Sequence, residues 1–538
     1  MTGSTSFQHP PVVLLDGTAM LPREILGNKG YGINVMRGED LPVPPAFCIT
    51  TEVCAQYFDE PDATTASIRD EVRVKLRWLE AETSRTFGSG PRPLLVSVRS
   101  GAALSMPGML DTVLDLGIDD AVESALGELH SPELAGDTRR RFCHMYRRIV
   151  LGDENGEVPD DPFAQLGGAI GAVFRSWNSP RAIAYRKHHG LSDLGGTAVV
   201  VQAMVFGNME SDSGTGVLFS RNPMTGAAEP FGEWLPGGQG EDVVSGTFDV
   251  EPVSALRDEQ PAIYDELMET AGTLERISKD VQDIEFTVEQ GKLWLLQTRV
   301  AKRSAQAAVR LALALRDEGL IDDAEALRRI DPAQVETLLK PSLQPETRLA
   351  APLLAKGLSA CPGVVSGTAY NDVDEAIDAA EDGEDVILVR SATSPDDIQG
   401  MMAARGIVTG IGGATSHAAV VSRELHRPSV VGCGTGVVQL LVGKQVTLDG
   451  TEGEVREGIL ELTAWSEDDS PDLAELGKLA RGISPLAAHV AGEYPALDDN
   501  TEAGVRAALD AGLADVVSPQ PLVTMLIAAR LQANVIQD

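Results

Sequence analysis

A lone histidine, His417, stands in the stretch GIGGATSHAAVVSR (residues 410–423), where glycines run into an apolar, alanine-rich helix start. Gly412 and Gly413 permit a tight turn with positive φ, and Thr415 or Ser416 can cap the helix that follows. The free N–H groups and the positive end of the helix dipole then face an anion. Neutral imidazole is a competent nucleophile near pH 7, so the pattern suits a phosphoryl group carried on the ring. A capped histidine in a satisfied loop has the same local pattern, and the choice rests on the other motifs.

Three further constellations could handle a nucleotide. In GNKGYGINVMRGEDLPVPPAFCITTEVC (27–54) Lys29 lies between Gly27 and Gly30; glycines let backbone approach a phosphate and the lysine supplies a point charge. In SVRSGAALSMPGMLDT (97–112) a strand delivers Arg99 into a run of small residues that ends in the turn Pro107-Gly108. A guanidinium so placed can grip phosphate oxygens bidentately. In DIEFTVEQGKLWLLQTR (283–299) Asp283 and Glu285 are two apart on a strand and point to one face. Like charges so placed repel, and a divalent ion stabilises them; Mg²⁺ takes one or two carboxylates and completes its shell from substrate phosphates. Glu289-Gln290-Gly291-Lys292 reads as a hairpin turn, so Gln297 and Arg299 fall on one face of the paired strand beside the acids.

The elements that must position these residues are mixed. Strand-like runs and helices, among them 66–85, make up the first third; alternating apolar strands dominate from Thr197 to Arg299, and a helix is expected over about 304–318. A connection rich in proline (Pro332, Pro341, Pro345, Pro352) reads as an interdomain linker. Strands at VILVR, GIVTG, PSVVG and QVTLDG, separated by helical pieces, make a small α/β domain from about 357 to 462. The acidic run WSEDDSPD near 465–472 marks another boundary, before a tail expected to be mainly helical.

An apolar content of 43% with 23% charged residues fits an ordinary globular chain rather than a disordered one. A formal net charge of -36 argues against a nucleic-acid or anionic-membrane surface, both of which require basic patches. Nucleotide approach must then be aided locally by the few placed cations and by glycine amides. The five cysteines, Cys48, Cys54, Cys143, Cys361 and Cys433, show neither metal-ligand nor disulfide spacing, which fits a reducing cytoplasm. No run approaches the ~20 apolar residues of a membrane span.

Together, SVRSGAALSMPGMLDTVLDLG, SWNSPRAIAYRKHHG, VVQAMVFGNMESDSGTGVLFSRNP, GQGEDVVSGTFDVEP and QDIEFTVEQGKLWLLQTR resemble the ATP-grasp domain of pyruvate phosphate dikinase. The segment VILVRSATSPDDIQGMMAARGIVTGIGGATSHAAVVSRELHRPSVVGCG resembles the same family's phosphohistidine domain. The resemblance implies ATP and Mg²⁺ as cofactors and His417 as the phosphoryl carrier. Lys29 and Arg99 would bind phosphates, Gln202 and Met204 would line the adenine pocket, and Asp283 and Glu285 would hold the metal. Gln297 and Arg299 would complete the γ-phosphate end, Glu241 is a further candidate for the nucleotide site, and Thr415 matches a position of regulatory phosphorylation.

The expected architecture is therefore multidomain, α/β and α+β. A nucleotide-binding ATP-grasp domain would span 1–340, with a helical insert at about 118–190. A linker at 341–356, a small swivelling phosphohistidine domain at 357–464 and a mainly helical segment at 465–538 would follow. The expected chemistry converts ATP to AMP and phosphate to pyrophosphate through phospho-His417, for delivery to pyruvate to form phosphoenolpyruvate. The family's pyruvate-binding barrel needs roughly 250 residues, whereas only about 75 follow the carrier domain and no cysteine lies beyond Cys433. A barrel supplied by a separate protein is the expectation, with a possible homodimer, no nucleic acid and no membrane as partners. A different small-molecule acceptor and an inactive scaffold are the alternatives.

Overall fold

The computed structural model describes residues 7–537 apart from positions 105, 107, 189, 192–194, 246–249, 340–342, 344, 463–469 and 498. The described residues form a mixed α/β molecule built on three large sheets. The first sheet is antiparallel and runs in the order Val12–Leu14, Ala46–Ile49, Thr197–Ala203, Val96–Ala102, Thr112–Leu116. Its central strands are buried on both faces, which explains their nearly continuous apolar character. One face packs on the helices Thr51–Asp59, Pro61–Thr83 and Pro162–Ser176. The other receives the helix Arg23–Gly38, whose Leu26, Ile33 and Met36 also meet Leu218, Phe286 and Leu295 of the second sheet.

That shared helix is not regular. It breaks at Gly27, where φ is 67° and a side-chain carbon would sit 1.7 Å from the Gly101 carbonyl oxygen. Only glycine lets the helix approach the strand Val96–Ala102 so closely. The glycine-rich segment around Lys29 is therefore a broken helix, with Lys29 two residues past the break.

The second sheet, also antiparallel, runs Glu251–Pro252, Phe231–Pro236, Gly214–Phe219, Gln282–Glu289, Lys292–Val300. The hairpin forms where expected, with Glu289 opposite Lys292 and both Gln290 (φ 50°) and Gly291 (φ 68°) left-handed, as a two-residue turn demands. Between Thr112–Leu116 and Thr197–Ala203 of the first sheet the chain makes the helices Asp120–Leu129, Pro132–Tyr146, Pro162–Ser176 and Pro180–His188. The caps Asp119, Ser131 and Asp161, the last two each followed by proline, start three of them.

The third sheet has eight strands. Val364–Tyr370, Val386–Arg390, Gly406–Thr409 and Ser429–Val431 are parallel, and Gln445–Asp449, Glu454–Glu457, Leu353–Lys356 and Leu358–Cys361 flank them in antiparallel pairings. Leu353–Lys356 belongs to this sheet rather than to a linker ending at 356, because Ala355 is buried opposite Val455. Pro332 and Pro345 begin the helices Pro332–Leu339 and Pro345–Ala350 instead of extending the chain, since proline is tolerated in a helix's first turn. Pro341 lies outside the described residues.

The tail is not wholly helical. Helices Pro471–Ile483, Glu502–Asp510 and Pro521–Gln537 alternate with two short parallel strands, Ala487–His489 and Asp515–Val517. Leu473, Leu476, Leu522 and Leu526 pack with Val309, Leu327 and Val335 into one apolar core with the helices Ala305–Asp317, Asp323–Arg329 and Pro332–Leu339. Core packing accounts for the tail's apolar spacing. Among the described residues no helix is long and apolar enough to cross a membrane.

Candidate active site

A cavity of about 1110 Å³ lies where the first sheet, the second sheet and the third sheet's 390–420 region converge. Lys29, Arg99, Gln202, Met204, Glu285, Gln297, Arg299, Thr415 and His417 all line it. Residues separated by almost 400 positions therefore share one space. The hairpin register explains part of the convergence, since Asp283 faces Arg299 and Glu285 faces Gln297 across the strand pair.

The charges in this cavity are paired among themselves. Arg299 Nε donates to Asp283 Oδ2 at 2.7 Å. Arg99 Nη2 donates to Glu285 Oε2 and to Gln297 Oε1, each at 3.2 Å, while its Nη1 donates to Gln202 Oε1 at 3.4 Å. Gln297 Nε2 donates to the second oxygen of Glu285. Gln202 is itself oriented by donating from Nε2 to the Pro44 carbonyl at 3.2 Å. Burial pushes the Lys29 ammonium down to about 7; Arg99 and Arg299 add to that and Glu285 opposes it. An anion entering here would restore the lysine's charge.

Asp283 stands behind Arg299 rather than on the cavity wall, only 2% exposed, and its Oδ1 is buried without a partner. Burial raises its carboxyl above the ordinary range, against the pull of Arg299. A bare carboxylate oxygen beside Glu285 fits a divalent cation, which supplies the missing partner. Asp283 and Glu285 could hold such an ion; among the described residues no group of three or more acidic, histidine or cysteine side chains is arranged to do so.

His417 enters from the third sheet. The turn at Gly412 (φ 125°) leads into the helix His417–Glu424, which Ser416, not Thr415, caps by accepting from the Ala419 N–H. The ring rests on Gly108 (φ 72°), where a side-chain carbon would lie 3.1 Å from His417 Cε1, so glycine is what permits this approach. Pro107 lies outside the described residues. Burial pushes the imidazole down to about 4, with the Arg181 charge adding; Asp397 and a hydrogen bond to the backbone of Ser394 oppose it. In a neutral imidazole one ring nitrogen carries the proton and the other holds a lone pair. Nε2 is the nitrogen without a partner.

Five residues to which the sequence assigned no role complete this arrangement. Glu233 on the strand Phe231–Pro236 accepts from the Ala414 N–H at 2.7 Å and from the Thr415 hydroxyl, so Thr415 is spent on a contact between the second and third sheets. Arg181 pairs with Asp396 at 3.4 Å. Arg390 pairs with Asp397 at 3.0 Å, and Asp397 also accepts from the Ser394 backbone N–H at 2.7 Å. They sit in SWNSPRAIAYR and VILVRSATSPDD, and in FGEWLP, whose one acid on an apolar strand was the available signal. The side chain of Glu241 lies outside the described residues, although its helix Gly240–Ser245 is placed and Gln239 and Gly240 line the cavity.

Residues 63–264 match the family described as pyruvate phosphate dikinase, AMP/ATP-binding domain, and residues 382–453 match PEP-utilising enzyme, mobile domain. The chain thus carries the AMP/ATP-binding domain of the pyruvate phosphate dikinase family. It is similar to pyruvate, phosphate dikinase of Rhizobium meliloti, 40% identical over 88% of this chain and 60% of that one. The Clostridium symbiosum protein of the same name is 41% identical over 83% of this chain and 57% of its own, and the chloroplastic rice protein 39% over 80% and 52%. The chain thus spans a little over half the length of these pyruvate, phosphate dikinases. Arg99, Gln202, Met204 and Glu241 fall in the nucleotide-binding match, and Thr415 and His417 in the mobile-domain match.

Proposed function

We propose that this chain transfers a phosphoryl group from Mg–ATP to Nε2 of His417 and releases AMP, for delivery to pyruvate. The observation that carries this reading is the unpartnered Nε2 of a neutral His417 inside the same cavity as Lys29, Arg99 and Arg299. The first two sheets and their shared helix are read as an ATP-grasp fold, and the third sheet as a swivelling carrier domain.

In this scheme Gln202 and Met204 border the base, while Lys29, Arg99 and Arg299 neutralise the phosphates. Asp283 and Glu285 would hold Mg²⁺, which supplies charge neutralisation between phosphate oxygens. Arg99 and Arg299, now paired to those acids, would turn their donors toward the nucleotide. Nε2 attacks the β-phosphorus, the bond to the α-phosphate oxygen breaks and AMP departs. Inorganic phosphate then takes the γ-phosphoryl group as pyrophosphate, leaving phospho-His417. No side-chain base is required, because the attacking nitrogen has no proton to lose. Placement and charge neutralisation carry the catalysis.

The test is incubation with β-labelled or γ-labelled Mg–ATP, with and without phosphate, followed by alkaline quench. The β-label is expected to remain on the chain in acid-labile form, and the γ-label to leave as pyrophosphate once phosphate is added. Labelling that persists in His417→Ala, or its absence from the parent with both nucleotides, would remove the proposal.

A further inference from the structure

The helix that presents His417 at its first turn is also held at its far end. Glu424, the last residue of His417–Glu424, accepts from Lys302 Nζ at 2.7 Å and from the Tyr185 hydroxyl, both at Oε1. The Glu424 side chain is only 6% exposed, and its Oε2 is buried without a partner. Lys302 lies three residues beyond Arg299, just past the strand Lys292–Val300. Tyr185, on Pro180–His188, is 1% exposed and packs in an apolar cluster with Ala182, Met401 and Val421. One carboxylate thus ties the carrier helix to the nucleotide hairpin and to the helical insert at once.

We propose that Glu424, Lys302 and Tyr185 are positioning residues that latch the carrier domain in the nucleotide cleft and aim His417 Nε2. Glu233 holds the turn before the helix, and a polar anchor at that end by itself would leave the far end able to pivot about it. A second anchor about 12 Å away, eight residues at 1.5 Å each, removes that freedom. The latch is also built to release. The bare Oε2 is a buried polar atom that gains water when the domains part, so part of the cost of breaking the ion pair is returned. This inference rests on the phosphohistidine reading for its consequence, though not for its geometry.

Two measurements on the full chain test it. Spin labels at Asp70→Cys and Glu375→Cys, in a background with Cys143 and Cys433 replaced by serine, report the distance between the first-sheet body and the carrier domain. The parent is expected to give one narrow distance. Lys302→Met, Tyr185→Phe and Glu424→Gln should broaden it, and the exchange Lys302→Glu with Glu424→Lys should narrow it again. In single-turnover labelling from β-labelled Mg–ATP, Lys302→Met should slow phosphorylation of His417 roughly tenfold or more, as expected for breaking a desolvated ion pair. Its affinity for Mg–ATP should stay within about twofold of the parent's. An unchanged distance in all three single variants, or an exchange variant no better than either single change, overturns the latch. Failure of the parent to label His417 overturns the phosphotransfer reading, while the distances still decide the latch.

Discussion

A pH titration of the phosphorylation step probes the docked geometry most directly. In the cleft the His417 imidazole is pushed down to about 4 from 6.5 by burial, with Arg181 adding and Asp397 opposing. Away from the cleft the ring should titrate near 6.5. The docked state therefore holds fewer protons than the undocked one between those values. Docking is at full strength above pH 6.5, weakens about tenfold per pH unit as pH falls toward 4, and levels off below it. With a docked-to-undocked ratio of about ten at neutral pH, the midpoint of the phosphorylation rate is expected near pH 5.5, a full unit below that of an exposed imidazole. The assay is rapid mixing with saturating Mg–ATP and alkaline quench, since phosphohistidine does not survive acid. A midpoint at 6.5 or above would show that the attacking ring is solvated, and the reasoning from Gly108, Arg181 and the bare Nε2 would fail with it.

Other perturbations address separate links. Gly108→Ala puts a methyl 3.1 Å from His417 Cε1 at a φ of 72°, so His417 labelling should slow by about tenfold or more while Mg–ATP affinity holds. Asp283→Asn preserves shape but removes the charge beside the bare oxygen; calorimetry should show that Mg²⁺ no longer strengthens ATP binding. Thr415→Glu sets a carboxylate against Glu233, and labelling should fall on the order of 100-fold, with partial recovery on adding Glu233→Gln. Leu526→Ala, at a fully buried position of the helical core, should cost about 2–5 kcal/mol and lower the melting temperature.

The hairpin was legible in advance because its information is local. Two-residue alternation puts Asp283 and Glu285 on one face, and Gln290-Gly291 tolerates the left-handed turn that sets Gln297 and Arg299 opposite them. The Ser416 cap and the glycine turn before His417 were readable for the same reason, although sequence could not choose Ser416 over Thr415. That choice depends on Glu233, 182 residues away, which takes the Thr415 hydroxyl for another purpose. The Lys29 segment misled in the other direction. Its glycines suggest a loop, whereas Gly27 alone breaks the chain and the rest continues as helix against Gly101. Pro332 and Pro345 likewise suggested an open linker and instead start helices.

What remained hidden shares one physical character. Glu233, Arg181, Lys302 and Glu424 act between bodies distant in sequence; Arg181, Lys302 and Glu424 look locally like ordinary surface charges, and only Glu233 stands out as an acid on an apolar strand. Periodicity predicts which face of an element is buried but not which other element buries it, so contacts between domains carry no local signature. The same contacts must break for a carrier to travel, and polar anchors that regain water on release serve that end beside the apolar cluster of Tyr185, Met401 and Val421. Legibility and function are thus opposed at this interface. The residues that deliver His417 to the nucleotide are few, charged and reversible, and those properties make them inconspicuous in the chain.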